Sequence, residues 1–223
     1  MTSPRLLIMC GLPFSGKSTL ARELAARLRF VHLELDAVNV ERGAGLDGGV
    51  ITREDWLAAY RESYRRLDGL LNEGCSVVFD ATNFRRAHRE RLRRAARRAG
   101  AVAMVVYLDM PESETRDRLL RNRAAPLRYD VRDEDFAQVA VGFQPPGEDE
   151  NVVRCDPTVS VAAVVARLRS AGLEGTQQAA PLLTPRSLGV AKPPVADLSE
   201  YQEEGSDVQK DEPRDRRPAS SQR

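Results

Sequence analysis

The stretch GLPFSGKST, residues 11–19, follows directly on the apolar run LLIMC of residues 6–10 and precedes TLARELAARLR, which has helical composition and apolar spacing. Gly11, Gly16, Lys17 and Ser18 fit the pattern G-x-x-x-x-G-K-S/T, and they stand where a phosphate-binding loop must stand, between a first strand and a first helix. Glycines let the backbone curl so that successive N–H groups face an anion, and the helix N-terminus adds partial positive charge. The spacing therefore predicts an anion cradle over Gly11, Leu12, Pro13, Phe14, Ser15, Gly16, Lys17, Ser18 and Thr19. Lys17 is expected to face solvent and reach the terminal phosphates. The Ser18 hydroxyl is placed to ligate a magnesium ion shared with phosphate oxygens, and Thr19 to hold the proximal phosphates.

Outward from the loop, strands and helices alternate. FVHLELD reads as a second strand ending in Asp36, CSVVFDATN as a third ending in Asp80, AVAMVVYLD as a fourth and NVVRCD as a short fifth. Between them lie the helical patterns DWLAAYRESYRRLDGLLNEG, capped by Thr52 with Asp55 three residues on, then RRAHRERLRRAARRAG, closed by Gly100, and PESETRDRLLRNR. A further helix is expected between residues 128 and 143, and TVSVAAVVARLRSAG closes the series. The stretch ERGAGLDGGVITRED reads as a glycine-rich loop. Strands separated by helices of this length imply an α/β fold, a parallel five-stranded sheet covered on both faces. Residues 1–172 form the expected domain. Residues 173–223, rich in Pro, Gly, Ser and charge, read as a disordered tail with no partner identified.

Composition narrows the function classes. The chain has 223 residues, 42% of them hydrophobic, enough for one domain with a real core. Its formal net charge of +1 gives no global attraction to nucleic acid or an anionic membrane. Lysine occurs only at positions 17, 192 and 210 in a chain otherwise cationic through arginine, which sets Lys17 apart. Cys10, Cys75 and Cys155 are too few and too scattered for a disulfide framework, so a reduced cytoplasmic setting is expected. His32 and His88 are the only histidines and form no pair at ligand spacing, which argues against a structural zinc site. No segment approaches the ~20 apolar residues needed to span a bilayer.

Ligands of open α/β sheets bind beyond the carboxyl ends of the strands, and two such ends carry Asp36 and Asp80. A hydroxyl that attacks a phosphoryl group needs a carboxylate within hydrogen-bond reach, which suits Asp36 to act as general base. Together GLPFSGKSTLA, LELD, VVFDATN, the helix with RNR, and FQPPGEDE resemble the small P-loop kinases and AAA-type ATP-binding proteins of the polynucleotide-kinase-like and zeta-toxin-like families, over roughly residues 5–170. That resemblance implies a P-loop three-layer α/β/α fold with a kinase-type lid, and transfer of the γ-phosphoryl of ATP, with Mg2+, to a hydroxyl-bearing acceptor. A polynucleotide 5'-hydroxyl kinase and a nucleotide-dependent switch engaging a partner through the tail are the alternatives. It also implies that Asp36 is the base, that Asp80 works on the metal side with Ser18, and that Arg121 is the lid arginine, with Arg118 and Arg123 behind it.

Two departures stand out. Relatives carry an arginine three residues after the aspartate, where this chain has Asn39, with Arg42 the nearest candidate; and they commonly carry glycine where this chain has Phe14. A large AAA motor is disfavoured because the chain ends soon after the fifth strand. The basic helix, with arginines at 85, 86, 89, 91, 93, 94, 97 and 98, reads as an outer solvated helix; were the acceptor an oligonucleotide, it would supply a salt-sensitive contact.

Overall fold

The computed structural model describes residues 3–44, 51–125, 131–156 and 158–173. The tail expected over 173–223 therefore lies outside the described residues except for Leu173, as do Arg128 and residues 45–50 of the glycine-rich stretch.

Five parallel strands, β1 (Arg5–Cys10), β2 (Val31–Glu34), β3 (Val77–Asp80), β4 (Val102–Leu108) and β5 (Val152–Cys155), form one sheet in the order β2-β3-β1-β4-β5. All four pairings are parallel, with Leu6 opposite Val77 and Ala103, and Glu34 opposite Asp80. Side chains alternate across the sheet. Leu6, Ile8, Leu33, Val77, Phe79 and Val105 therefore enter one core, beneath α2 (Leu35–Glu41), α3 (Arg53–Asn72) and α4 (Arg86–Arg98). Leu7, Met9, Val78, Met104 and Val106 enter the other, beneath α1 (Lys17–Leu28) and α7 (Val161–Ser170). Burial on both faces explains why the strands read as continuous apolar runs.

Local signals hold where they were chemical. Thr52 and Asp55 form a reciprocal capping box at the start of α3, the Thr52 hydroxyl accepting from the Asp55 N–H at 3.2 Å and the Asp55 carboxylate from the Thr52 N–H at 2.8 Å. Gly100, at φ +66°, lies just past α4.

One boundary differs from the sequence reading. The second strand stops at Glu34, and Asp36 sits in the first turn of α2, a seven-residue helix that the alternation HLELD conceals. Leu35 and Val38 bury their side chains in the core at helical spacing, a tertiary demand that overrides the period-two pattern.

A third, smaller apolar cluster lies outside the sheet. Phe14 of the glycine loop packs with Leu119 of α5 (Glu112–Ala124) and Phe136 of α6 (Asp133–Val141), joining the loop to the helices that follow β4.

Candidate functional site

The loop after β1 has the backbone of an anion cradle. Gly11 and Gly16 stand at φ +149° and +97°, and a Cβ on Gly11 would come within 2.9 Å of the Leu108 carbonyl oxygen and 3.0 Å of Ser15 Oγ. Helix α1 begins at Lys17 with Gly16 as an N-cap that offers no side-chain acceptor, and its first turn contains no acidic residue. Its leading N–H groups are thus left for a ligand, and no carboxylate competes with an anion there. Among the described residues the buried Ser15 hydroxyl likewise has no hydrogen-bond partner. Phe14 holds φ +63°, the left-handed region that a glycine would adopt without strain, and keeps it while burying its ring against Leu119 and Phe136.

Lys17 is not solvent-facing. It is only 7% exposed, and its ammonium donates to the Leu12 carbonyl at 2.7 Å, folding back over the loop. The reason is geometric: the loop wraps its own lysine, so the charge is held inside the cradle instead of above it.

A cleft of about 750 Å³ opens beside the loop. Ser18, Thr19 and Arg22 of α1 line it, as do Glu34, Asp36, Val40 of the β2–α2 junction and Arg118, Arg121 and Asn122 of α5. Asp36 therefore shares one cavity with Ser18, and Arg118 and Arg121 of α5 line the same space. Arg118 also rests against the Phe14 and Ser15 carbonyls at 3.5 and 3.4 Å. Arg123 turns elsewhere: it pairs with Asp133 and donates to the Val131 carbonyl at 2.8 Å, so it ties α5 to α6 and lies apart from the cleft.

Asp80 and Asp36 do not stand side by side in the cleft. Asp80 is buried, and its Oδ2 meets His32 Nε2 at 3.2 Å across the β2–β3 pairing. Glu34, opposite Asp80 in register, does reach the cleft wall. Burial, and then the negative charge of Asp80, push the Glu34 carboxyl above the usual carboxylate range.

Sequence reading missed Glu34 and Arg22 as cleft residues. Both carried a signal: Glu34 shares the parity of His32 in HLE, and Arg22 stands four residues after Ser18, on the same face of α1. Asn39 is buried, with neither amide atom hydrogen-bonded among the described residues, and Arg42 closes the C-terminus of α2 outside the cleft lining. Arg22 lines the cleft, and neither Asn39 nor Arg42 does.

The TN pair after β3 locks the loop from beneath. The Thr82 carbonyl accepts from the Gly11 N–H at 3.2 Å, and Asn83, at φ +44° and fully buried, donates its amide to the Met9 carbonyl at 2.7 Å. Arg89 of α4, completely buried, donates to the Asn83 carbonyl at 3.0 Å and grips Glu150 in a fork at 2.7 and 2.9 Å. The GEDE turn after the diprolyl segment therefore braces the floor of the site. The other arginines of α4, Arg94 apart, are engaged too. Arg86 pairs with Asp149, Arg93 and Arg97 with Glu90, and Arg98 with Asp68; Arg85 and Arg91 lie over the rings of Phe84 and Tyr64. Four carboxylates, Asp68, Glu90, Asp149 and Glu150, thus answer eight arginines between Arg85 and Arg98, so this outer wall keeps a surplus of positive charge.

The described residues contain no helix long and apolar enough to cross a membrane. The AAA domain family matches residues 6–146. Among individual proteins, an ATP-dependent zinc metalloprotease FtsH of Ruminiclostridium cellulolyticum is 35% identical over 113 residues, 49% of this chain but 17% of that protein. The chain thus spans less than a fifth of that relative. A gluconokinase of Gluconobacter oxydans is 30% identical over 156 residues, covering 68% of this chain and 82% of the gluconokinase. In fold, the chain is similar to a crystal structure of a gluconokinase from Sinorhizobium meliloti, with a TM-score of 0.54 at 20% identity over 77% of this chain and 93% of that one.

Proposed function

The chain belongs to the AAA domain family, and from that membership and the cleft we propose that it is an ATP-dependent kinase, transferring the γ-phosphoryl group of Mg-ATP to a hydroxyl of a small, polyhydroxylated, anionic acceptor. The observation that carries this reading is the cleft itself, which opens a carboxylate, Asp36, toward the same space as Ser18 of the phosphate loop and two arginines of α5. A switch protein needs no carboxylate there. The extent of the likeness favours a small kinase over a motor, since the gluconokinase is matched over most of its length and the metalloprotease over a small part.

In this reading the glycine loop and the N-terminus of α1 hold the phosphates, and Lys17 swings from the Leu12 carbonyl to the β- and γ-phosphates. The Ser18 hydroxyl opens into the cleft and would ligate a hard cation, with the buried Asp80 at the carboxyl end of β3 as the acidic group behind it. A magnesium ion held by these residues would offset the negative charge of the nucleotide's terminal phosphates. Asp36 accepts the proton of the acceptor hydroxyl and orients it for in-line attack. Arg118 and Arg121 offset the charge spread over the transferring group, and Arg22 binds the acceptor's own negative charge. That acceptor class follows from three arginines in one cleft and agrees with the sugar acid named by the gluconokinases.

The test is ADP release from Mg-ATP with sugar acids, neutral sugars, nucleosides, oligonucleotides and antibiotics offered in turn. Stimulation by one anionic class, lost in Lys17→Ala, is expected. ADP release that no acceptor stimulates would leave a nucleotide switch as the better description.

A further inference from the structure

We propose that His32, Glu34 and Asp80 form a second cation site in the nucleotide-free protein, sharing Asp80 with the magnesium side of the phosphate loop, that takes a divalent transition-metal ion, Zn2+ in preference to Mn2+. This goes beyond the kinase reading and does not depend on it. The three residues come from adjacent strands. Glu34 stands opposite Asp80 in the β2–β3 register, and His32, two residues before Glu34, falls on the same face of the sheet. One ligand atom from each lies within 4.8 Å of the other two.

The spacing is close to what an ion requires. Three ligands about 2.0–2.2 Å from a tetrahedral zinc stand about 3.3–3.6 Å apart. His32 Nε2 and Asp80 Oδ2 are already 3.2 Å apart, so closing the site requires a shift of the Glu34 carboxylate alone. That group is free to move, because among the described residues the Glu34 carboxylate accepts no hydrogen bond and makes no ion pair. It also lines the open cleft, which gives an ion a way in.

The donor set decides the metal. Mg2+ keeps oxygen ligands and octahedral water, whereas one imidazole nitrogen with two carboxylates suits the later first-row ions, whose affinity rises from Mn2+ toward Zn2+. Three protein ligands leave a position open for water or for an oxygen of a bound phosphate. The two like-charged carboxylates facing each other across β2 and β3 are the electrostatic reason for a cation there. Arg22 is the competing charge.

The full-length, nucleotide-free protein titrated with Co2+, followed by visible absorption and then displaced by Zn2+, provides the test. One equivalent should bind without a thiolate charge-transfer band, since all three cysteines stand outside the cluster. His32→Gln and Glu34→Gln should each weaken Co2+ binding by more than the roughly 10- to 100-fold that losing an outer-shell group produces. Ser18→Ala should leave it unchanged, which separates this site from the phosphate loop and keeps its outcome independent of whether the chain is a kinase. Zn2+ should raise the melting temperature of the wild type and not of Glu34→Gln, a substitution at a partly exposed side chain that leaves the fold in place. Absence of binding in the wild type, equal affinity in wild type and both variants, or loss of binding in His88→Gln instead would overturn the assignment.

Discussion

Replacing Phe14 with glycine and with alanine separates two effects that the loop superimposes. Both substitutions remove the ring from its cluster with Leu119 and Phe136, and a buried Phe→Ala change typically costs about 3–5 kcal/mol. This cluster is small and lies off the sheet, which places the expected loss near the low end, about 3 kcal/mol. The two variants then differ in backbone alone. At φ +63°, alanine retains the left-handed strain that phenylalanine bears, about 1–2 kcal/mol, whereas glycine is relieved of it. Glycine gives back about 0.4–1 kcal/mol through the greater freedom of its unfolded chain. The order of stability should therefore be Phe14, then Phe14→Gly, then Phe14→Ala, with glycine ahead of alanine by about 1 kcal/mol, or about 2–4 °C in melting temperature for a domain of this size. Urea unfolding of the three proteins, with melting curves alongside, measures it. Alanine equal to or above glycine would refute the argument that Phe14 holds a strained backbone for the sake of its ring.

The remaining predictions concern the carboxylates, the buried ion pair and pH. Asp36→Asn should preserve binding of a non-hydrolysable ATP analogue while transfer to the acceptor falls about 10²- to 10⁴-fold, and Asp80→Asn should also weaken magnesium-dependent binding; calorimetry with and without magnesium, beside single-turnover rates, distinguishes them. Arg89→Met strands the buried Glu150 carboxylate and should cost about 3–5 kcal/mol in urea unfolding, much of which Arg89→Met/Glu150→Leu should recover. Burial first, then Arg85, Arg89 and Arg91, push the His88 imidazole down to about 4, so the folded protein holds it neutral while the unfolded chain takes up a proton below its ordinary value of 6.5. Stability from this group is thus fully present above pH 6.5 and is lost as the pH falls toward 4, by up to about 3 kcal/mol. His88→Phe, which keeps a ring against Tyr60 and Phe84, should flatten that part of the stability profile, and an unchanged slope would assign it to other groups.

What was legible in the sequence was whatever depends on neighbours along the chain. The glycine, lysine and serine spacing of residues 11–19 determines a loop conformation and a helix start, because left-handed backbone and uncapped N–H groups are local properties. Alternating apolar runs and helical periods likewise determine a covered parallel sheet. The Thr52 capping box is a contact across three residues and could be read directly. Tertiary structure alone decided which side chains meet. HLELD looks like one strand by period, yet the need to bury Leu35 and Val38 together turns it into a helix after Glu34, moving Asp36 off the sheet and leaving Glu34 opposite Asp80 in the β2–β3 register. Arg118 and Arg123, five residues apart on one helix, are equivalent in composition, but the direction in which α5 packs sends one to the loop carbonyls and the other to Asp133. His32 looks isolated in a chain with two histidines because its partners are set by the β2–β3 register, an arrangement fixed by hydrogen bonds between strands some 45 residues apart and carried by no pattern within either one.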